Sequence, residues 1–123
     1  FKQVFLKAKS RDAVVTAQFD PILPVIPVRA IVNEGTRDYN ELQLKYLQDV
    51  KEKKIEVNEA QLKLEEFWLG SLRRAVIEGD VEKGSLMAGQ SVGMVKSIQP
   101  AAEIMEELIT SAENKLKAIY NGK

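Results

Sequence analysis

Hydrophobic residues recur every three or four positions over most of the chain, which predicts about five helices. Thr36 is the predicted N-cap of a long helix that ends in a lysine-rich run. The next helix starts at Asn58, is broken at Gly70 and restarts at Ser71. Gly79 is expected just past the end of that helix, where glycine is favoured. The predicted helices cover residues 1–10, 36–54, 58–78 with the break at Gly70, 86–97 and 100–121.

One short run has the pattern of a strand. Asp12–Gln18 is mostly uncharged and β-branched, which is typical of a buried strand in a parallel sheet. Phe19–Val28 follows with three prolines and predicts an extended, apolar loop. Because one strand cannot form a sheet alone, the chain is expected to belong to a larger α/β protein or to lend its strand to a partner. The start at Phe1 also favours the C-terminal part of a longer protein, with a complete trimmed chain as the alternative.

Residues Leu86–Ser97 form the most unusual of the predicted helices. Two glycines, Gly89 and Gly93, fall inside it, and each costs about 1 kcal/mol relative to alanine in a helix. Such a cost indicates that something approaches the backbone closely. Tight packing against another element is the favoured interpretation, and a ligand bound at the start of the helix is the alternative. Trp68 is likewise predicted to anchor the core rather than to be a stacking platform.

The amino-acid composition excludes several kinds of active site without identifying the function. The 123 residues, 45% of them hydrophobic, suffice for one domain with a core. Eighteen basic and 18 acidic side chains cancel, which argues against a general nucleic-acid binder. The absence of cysteine and histidine excludes disulfides, thiol nucleophiles, zinc–thiolate sites and Ser–His–Asp sets from this chain. Since no apolar run approaches the roughly 20 residues of a membrane span, we expect a soluble, mainly helical domain of cytoplasmic type.

Three segments, taken in order, resemble a known enzyme family. They are 12–18 with 27–39 (DAVVTAQ and PVRAIVNEGTRDY), 70–84 (GSLRRAVIEGDVEKG) and 85–96 (SLMAGQSVGMVK). Together they are similar to the C-terminal third of the flavin-dependent enoyl-acyl carrier protein reductase II. This enzyme is related to the nitronate monooxygenases, once called 2-nitropropane dioxygenases. The similarity extends over about 7–116, and its specific part is the run LRRAVIEGDVEKGSLMAGQSVG.

The resemblance implies a parent protein with an α/β fold, a (β/α)8 TIM barrel carrying a small helical subdomain. Residues 1–32 would end the barrel, 33–84 would form the helical subdomain, and 85–123 would return as helices packed on the barrel. FMN would lie at the C-terminal ends of the barrel strands. NADH or NADPH would reduce it, and the flavin would reduce the double bond of an enoyl group in fatty-acid biosynthesis.

The same resemblance assigns cofactor binding to three residues of this chain, Met87, Gly89 and Gln90. It places no catalytic residue and no metal ligand here, so the chain alone is predicted to be inactive and to hold no cofactor. The expected partners are the remainder of the barrel and an acyl carrier protein thioester, with no nucleic acid and no membrane. A homodimer is left open.

Two alternatives remain at this point. A nitronate monooxygenase would use the same flavin with oxygen instead of NADH. The loop Phe19–Pro27 is longer and richer in proline than the family pattern and contains no histidine, which weakens the choice between these two reactions. An alternative of another class is a free-standing helical module that binds a partner protein through its apolar loop and helix faces.

Overall fold

The computed structural model describes residues 1–121, which are mostly helical, as the hydrophobic pattern predicts. A hairpin of two short strands lies between the first and second helices. Two 3-10 turns, Ser10–Asp12 and Gln90–Met94, and a π-helical turn, Arg74–Glu78, complete the described elements. The helices are α1 (Lys2–Lys7), α2 (Glu34–Lys51), α3 (Val57–Arg73) and α4 (Ala101–Asn121), and the strands are β1 (Ala13–Val15) and β2 (Arg29–Ile31).

The predicted strand is present, but it belongs to an antiparallel sheet instead of a parallel one. β1 lies within the predicted run 12–18, but it pairs antiparallel with β2, a strand that the sequence analysis missed. The proline-rich loop returns the chain beside β1, and the Thr16 N–H donates to the Val28 carbonyl at 2.8 Å. The Thr16 hydroxyl then accepts from the Val28 N–H at 3.0 Å. A parallel pair usually needs a helical crossover, and the connection over residues 16–28 contains no helix.

The first hydrophobic core lies between α2 and α3. These two helices pack as an antiparallel pair, and the proline-rich loop inserts Leu23 between them until only 1% of that side chain is exposed. Gln43 of α2, also buried, holds the start of the loop, because its amide accepts from the Phe19 N–H and donates to the Ala17 carbonyl. The core residues are Leu23, Tyr39, Leu47, Val50, Ala60 and Leu64.

A second core joins the hairpin to the segments that follow α3. Ala13 and Ile31 from the strands meet Ala75 of the π-helical turn, Leu86, and Val92 of the second 3-10 turn. The N–H of Ser85 donates to the carbonyl of Ser71 at 2.9 Å, which fixes the chain as it leaves the turn after Glu78. This core therefore sets the position of residues 85–92 relative to the hairpin.

Several helix ends differ from the prediction. Asn33, not Thr36, is the N-cap of α2, and Thr36 is the third helical residue of the same capping box. α3 begins at Val57 with Glu56 before it, so Asn58 lies inside the helix. Gly70 does not break α3, because packing against α2 outweighs the roughly 1 kcal/mol that one glycine costs. Gly79 does end the π-helical turn, with a left-handed φ of 73°.

The predicted helix over 86–97 is wrong. Residues 86–88 instead run antiparallel to β2, since the Ile31 N–H donates to the Leu86 carbonyl and the Ala88 N–H to the Arg29 carbonyl. Only the short 3-10 turn Gln90–Met94 follows. The packing interpretation holds at Gly93, where an added Cβ would lie 2.5 Å from the Ser10 hydroxyl oxygen. Sheet-edge hydrogen bonds to a distant strand thus replace a helix that two glycines would weaken.

The last helix has an apolar stripe that the described residues do not cover. α4 follows Pro100, as predicted, and each of its residues is exposed. Its stripe includes Leu108, Leu116 and Ile119, each at least 60% exposed. The predicted return of 85–123 onto a barrel stays a prediction, and its last two residues, Gly122 and Lys123, lie outside the described part. No helix within residues 1–121 combines the length and apolar character needed to cross a membrane.

Candidate functional site

The three residues predicted to bind a cofactor lie together where the strand-like segment passes into the 3-10 turn. Met87 forms an isolated bridge with Ala30 of β2 and is 48% exposed. Gly89 caps the 3-10 turn, and Gln90 is its exposed first residue. The structure therefore brings them onto one short edge, although not at the start of a helix.

Backbone hydrogen bonds hold this edge on both sides. Leu86 is buried in the second core and alternates with exposed Met87, as neighbouring residues of an extended segment do. Beyond the bridge, the Val92 N–H donates to the Gly89 carbonyl at 3.0 Å, which closes the 3-10 turn. The exposed side chains of Met87 and Gln90 thus project from a backbone fixed by packing and by hydrogen bonds.

Gly89 differs from Gly93 in what surrounds it. A Cβ added at Gly89 would meet only the Ser91 hydroxyl, at 3.4 Å, which is close to an ordinary contact. Its backbone angles, φ −76° and ψ 170°, suit any residue. Packing among the described residues therefore explains the glycine at 93 and leaves the glycine at 89 without a steric reason.

A second feature is a cleft between the proline-rich loop and α3, which the sequence analysis did not predict. Its volume is about 420 Å³, and most of its wall is apolar. Trp68 lies here half-buried, with its ring 5.0 Å from that of Tyr39 in an edge-on contact, so it contacts the core as well. The lining residues are Pro24, Val25, Ile26, Val28, Tyr39, Gln61, Leu64, Glu65, Trp68 and Leu69.

The Tyr39 phenol has a raised pKa. Burial of the side chain, which is 5% exposed, is the larger cause, and the negative charge of Glu65 adds to it. The folded chain therefore holds this proton more tightly than the unfolded chain does. Stability is therefore unaffected by this group well below pH 10, the pKa of a free tyrosine, and it falls as the pH rises from about pH 10 through the folded pKa.

We expect Glu65→Gln to lower the pKa of Tyr39 toward its ordinary value, because one of the two causes is removed. Tyrosinate absorbance followed against pH measures the shift, and Tyr39→Phe identifies which ionisation belongs to Tyr39. Glu66→Gln, at the exposed neighbouring position, is the matched control and should leave the titration unchanged. Equal shifts in the two glutamine variants would contradict the assigned cause.

The acidic side chains of the described residues are not clustered in a way that could bind a metal ion. Among residues 1–121 no group of three or more histidine, cysteine, aspartate or glutamate side chains is placed to hold a metal ion. The acidic side chains form surface pairs instead, such as Asp20 with Lys51 at 2.7 Å. This ion pair is the main cause of the lowered pKa of Asp20, and it ties the proline-rich loop to the end of α2.

No protein-family model matches the chain, and no curated protein matches it. Among solved structures it is similar to FabK from Thermotoga maritima, with a TM-score of 0.69 and 30% sequence identity over 99% of this chain. The resemblance to the C-terminal part of enoyl-acyl carrier protein reductase II, predicted from three segments, is thereby confirmed.

The chain spans about a third of the length of the structure it resembles, because the match covers 33% of the Thermotoga protein. A point mutant of the same FabK gives a TM-score of 0.63 and 27% identity, over 99% of this chain and 31% of the mutant. Both matches include the edge that holds Met87, Gly89 and Gln90. The full barrel, the segment bounds 1–32, 33–84 and 85–123, and the roles of those three residues stay predictions.

Proposed function

We propose that this chain is the C-terminal part of an FMN-dependent enoyl-acyl carrier protein reductase that uses NADH or NADPH. The observation that carries the proposal is the similarity to FabK along nearly the whole chain. The remainder of the barrel and the thioester of acyl carrier protein are the proposed partners, and the proposed location is the cytoplasm. The proposal assigns no catalytic residue to this chain.

The edge formed by Met87, Gly89 and Gln90 fits the proposed flavin. Gly89 leaves its backbone open to a flat group, and packing within the described chain does not require a glycine there. The Gln90 amide can both donate and accept hydrogen bonds, and the Met87 thioether offers a soft apolar surface. When bound, FMN would supply the redox chemistry. The part of these residues would be to bind and orient it and to exclude water from one side.

An anaerobic experiment tests the proposal. The whole protein that contains this chain is mixed with NADH or NADPH in the absence of oxygen, and the flavin absorbance is followed. Rapid bleaching that an enoyl thioester reverses is the expected result. A flavin that nicotinamide leaves unchanged and a nitronate bleaches would overturn the reductase in favour of a nitronate monooxygenase. A protein that carries no flavin would leave the interaction module as the alternative.

Gln90→Ala should lower turnover of the whole protein much more than it lowers the melting temperature. Gln90 is exposed and caps nothing, so its loss removes a polar contact to the proposed cofactor without opening a cavity. Turnover, flavin content and thermal unfolding are measured on the same samples. Gln3→Ala, at an exposed position of α1, is the control and should change none of them. Loss of activity only in proportion to stability would contradict a direct role for Gln90.

A further inference from the structure

We propose that the cleft between the proline-rich loop and α3 binds the acyl chain of the enoyl thioester. This inference rests on the proposed function and assigns a role to residues outside the predicted cofactor edge. The volume of about 420 Å³ lies within the range of roughly 300–1,000 Å³ that is typical of small-molecule sites. Its walls come from aliphatic and aromatic side chains, which suits a flexible hydrocarbon chain.

The cleft is held open by contacts at its edges. The Gln61 side chain of α3 donates to the Pro24 carbonyl at 2.8 Å, so the loop is fixed to the helix on one side. Leu23, the residue before Pro24, is buried in the first core and anchors the loop from below. The pairing of Thr16 with Val28 fixes the far end of the loop. The walls are thus set by hydrogen bonds and core packing, and a ligand would not need to form them.

Several apolar side chains along the cleft remain exposed. Ile26 on the loop is 69% exposed, and Leu69 on α3 is 65% exposed, although both line the cleft. Covering such side chains with a hydrocarbon chain would remove apolar surface from water, at about 25 cal/mol per Å². The cleft therefore favours a long acyl chain over a short one.

The charge of the residues that line the cleft indicates whether it would bind a free fatty acid or an acyl thioester. Glu65 is the charged residue among those that line the cleft, and no lysine or arginine of residues 1–121 lines it. A free fatty acid would bring a second carboxylate close to exposed Glu65, and like charges disfavour each other. An acyl thioester has no charge at the carbonyl end and meets no such repulsion. The structure thus favours the neutral thioester-bound chain as the occupant over the free acid.

Two matched variants test the site. Leu69→Lys places a charge in the cleft wall, whereas Leu62→Lys places one on the same helix at a residue that is 60% exposed and does not line the cleft. In the whole protein we expect Leu69→Lys to raise KM about tenfold for a decenoyl thioester, which is the effect of losing about one to two methylene contacts. KM for the crotonyl thioester and both kcat values should stay unchanged. Leu62→Lys should change none of these constants.

Direct binding separates this inference from the proposed function. Trp68 lines the cleft, so the part of the whole protein's tryptophan fluorescence that is lost in Trp68→Phe reports on the cleft. A saturable change on adding the decenoyl thioester of N-acetylcysteamine, weakened by Leu69→Lys and not by Leu62→Lys, supports the site even if turnover is absent. No saturable change, a stronger response to decanoate, or equal effects of the two lysine variants overturns it. Turnover with equal KM values in both variants would overturn the acyl site alone and leave the reductase standing.

Discussion

Gly84→Ala is expected to destabilise the fold by about 3 kcal/mol, at the upper end of what overpacking costs. An added Cβ would lie 2.7 Å from both the Cα and the Cβ of Ala75, and still closer to the carbonyl oxygen of Asp80. Ala75 is fully buried in the second core, so it cannot move aside. Because the opposing atoms belong mainly to backbone, no rotamer change can relieve the contact.

Gly70→Ala is the matched control, since the same change meets open space there. No atom lies within 4 Å of a Cβ built at Gly70, which is exposed and inside α3. Alanine is favoured over glycine in a helix, and a gain of about 0.5–1 kcal/mol is expected. Denaturant unfolding of both variants gives their free energies of unfolding. Equal slopes of this free energy against denaturant concentration show that both variants unfold between the same folded and unfolded states. A stable Gly84→Ala variant would show that the turn can shift away from the second core.

The long helices are the part of the fold that the hydrophobic pattern predicts best. α2, α3 and α4 each bear a stripe at helical spacing, and a stripe is a local property that survives whatever the helix packs against. Helix ends are less well predicted, because several residues near one end can act as caps. Asn33 and Thr36 are both good caps, and the choice between them follows from contacts of Asn33 with the distant residues Val81 and Gly84.

The parts that the sequence analysis missed depend on contacts between distant residues. β2 is three residues long, starts two residues after Pro27, and is defined by its pairing with β1. The segment 86–88 has enough apolar residues for a helix, but its backbone hydrogen bonds go to β2. Neither pairing produces a periodic pattern of hydrophobic residues in the sequence. The local pattern therefore favoured a loop where β2 lies and a helix over residues 86–97.

The two candidate sites differ in how far the sequence could indicate them. Met87, Gly89 and Gln90 are consecutive or nearly so, and a family resemblance was enough to select them. The cleft is assembled from a loop near residue 25 and from α3 about 40 residues later. The available signals were the extended, apolar loop predicted over Phe19–Val28 and Trp68, which the sequence analysis assigned to the core. The cleft exists only because the folded chain packs the loop against α3, and this contact between distant residues has no signature in the local sequence.

Asn33→Asp should destabilise the fold by about 2–4 kcal/mol, although aspartate is as good an N-cap as asparagine. The side-chain oxygen Oδ1 of Asn33 accepts from the Thr36 N–H at 3.0 Å, and a carboxylate would preserve that cap. The side-chain nitrogen Nδ2 of Asn33 also donates to the backbone carbonyls of Val81 and Gly84, at 2.9 and 2.7 Å. A carboxylate cannot donate, so both carbonyls would lose a partner and face a negative charge.

The pH dependence distinguishes this cause from a general weakening of α2. At acidic pH the introduced carboxyl becomes protonated and can donate one hydrogen bond, so the difference from the native chain should narrow as the pH falls. Asn33→Ala removes the cap and both donors, and its deficit should not narrow in this way. Urea unfolding of the three chains across the acidic range measures the comparison. If Asn33→Asp were as stable as the native chain at neutral pH, the cap alone would matter. The turn that leads into the edge of Met87, Gly89 and Gln90 would then be held by the second core rather than by Asn33.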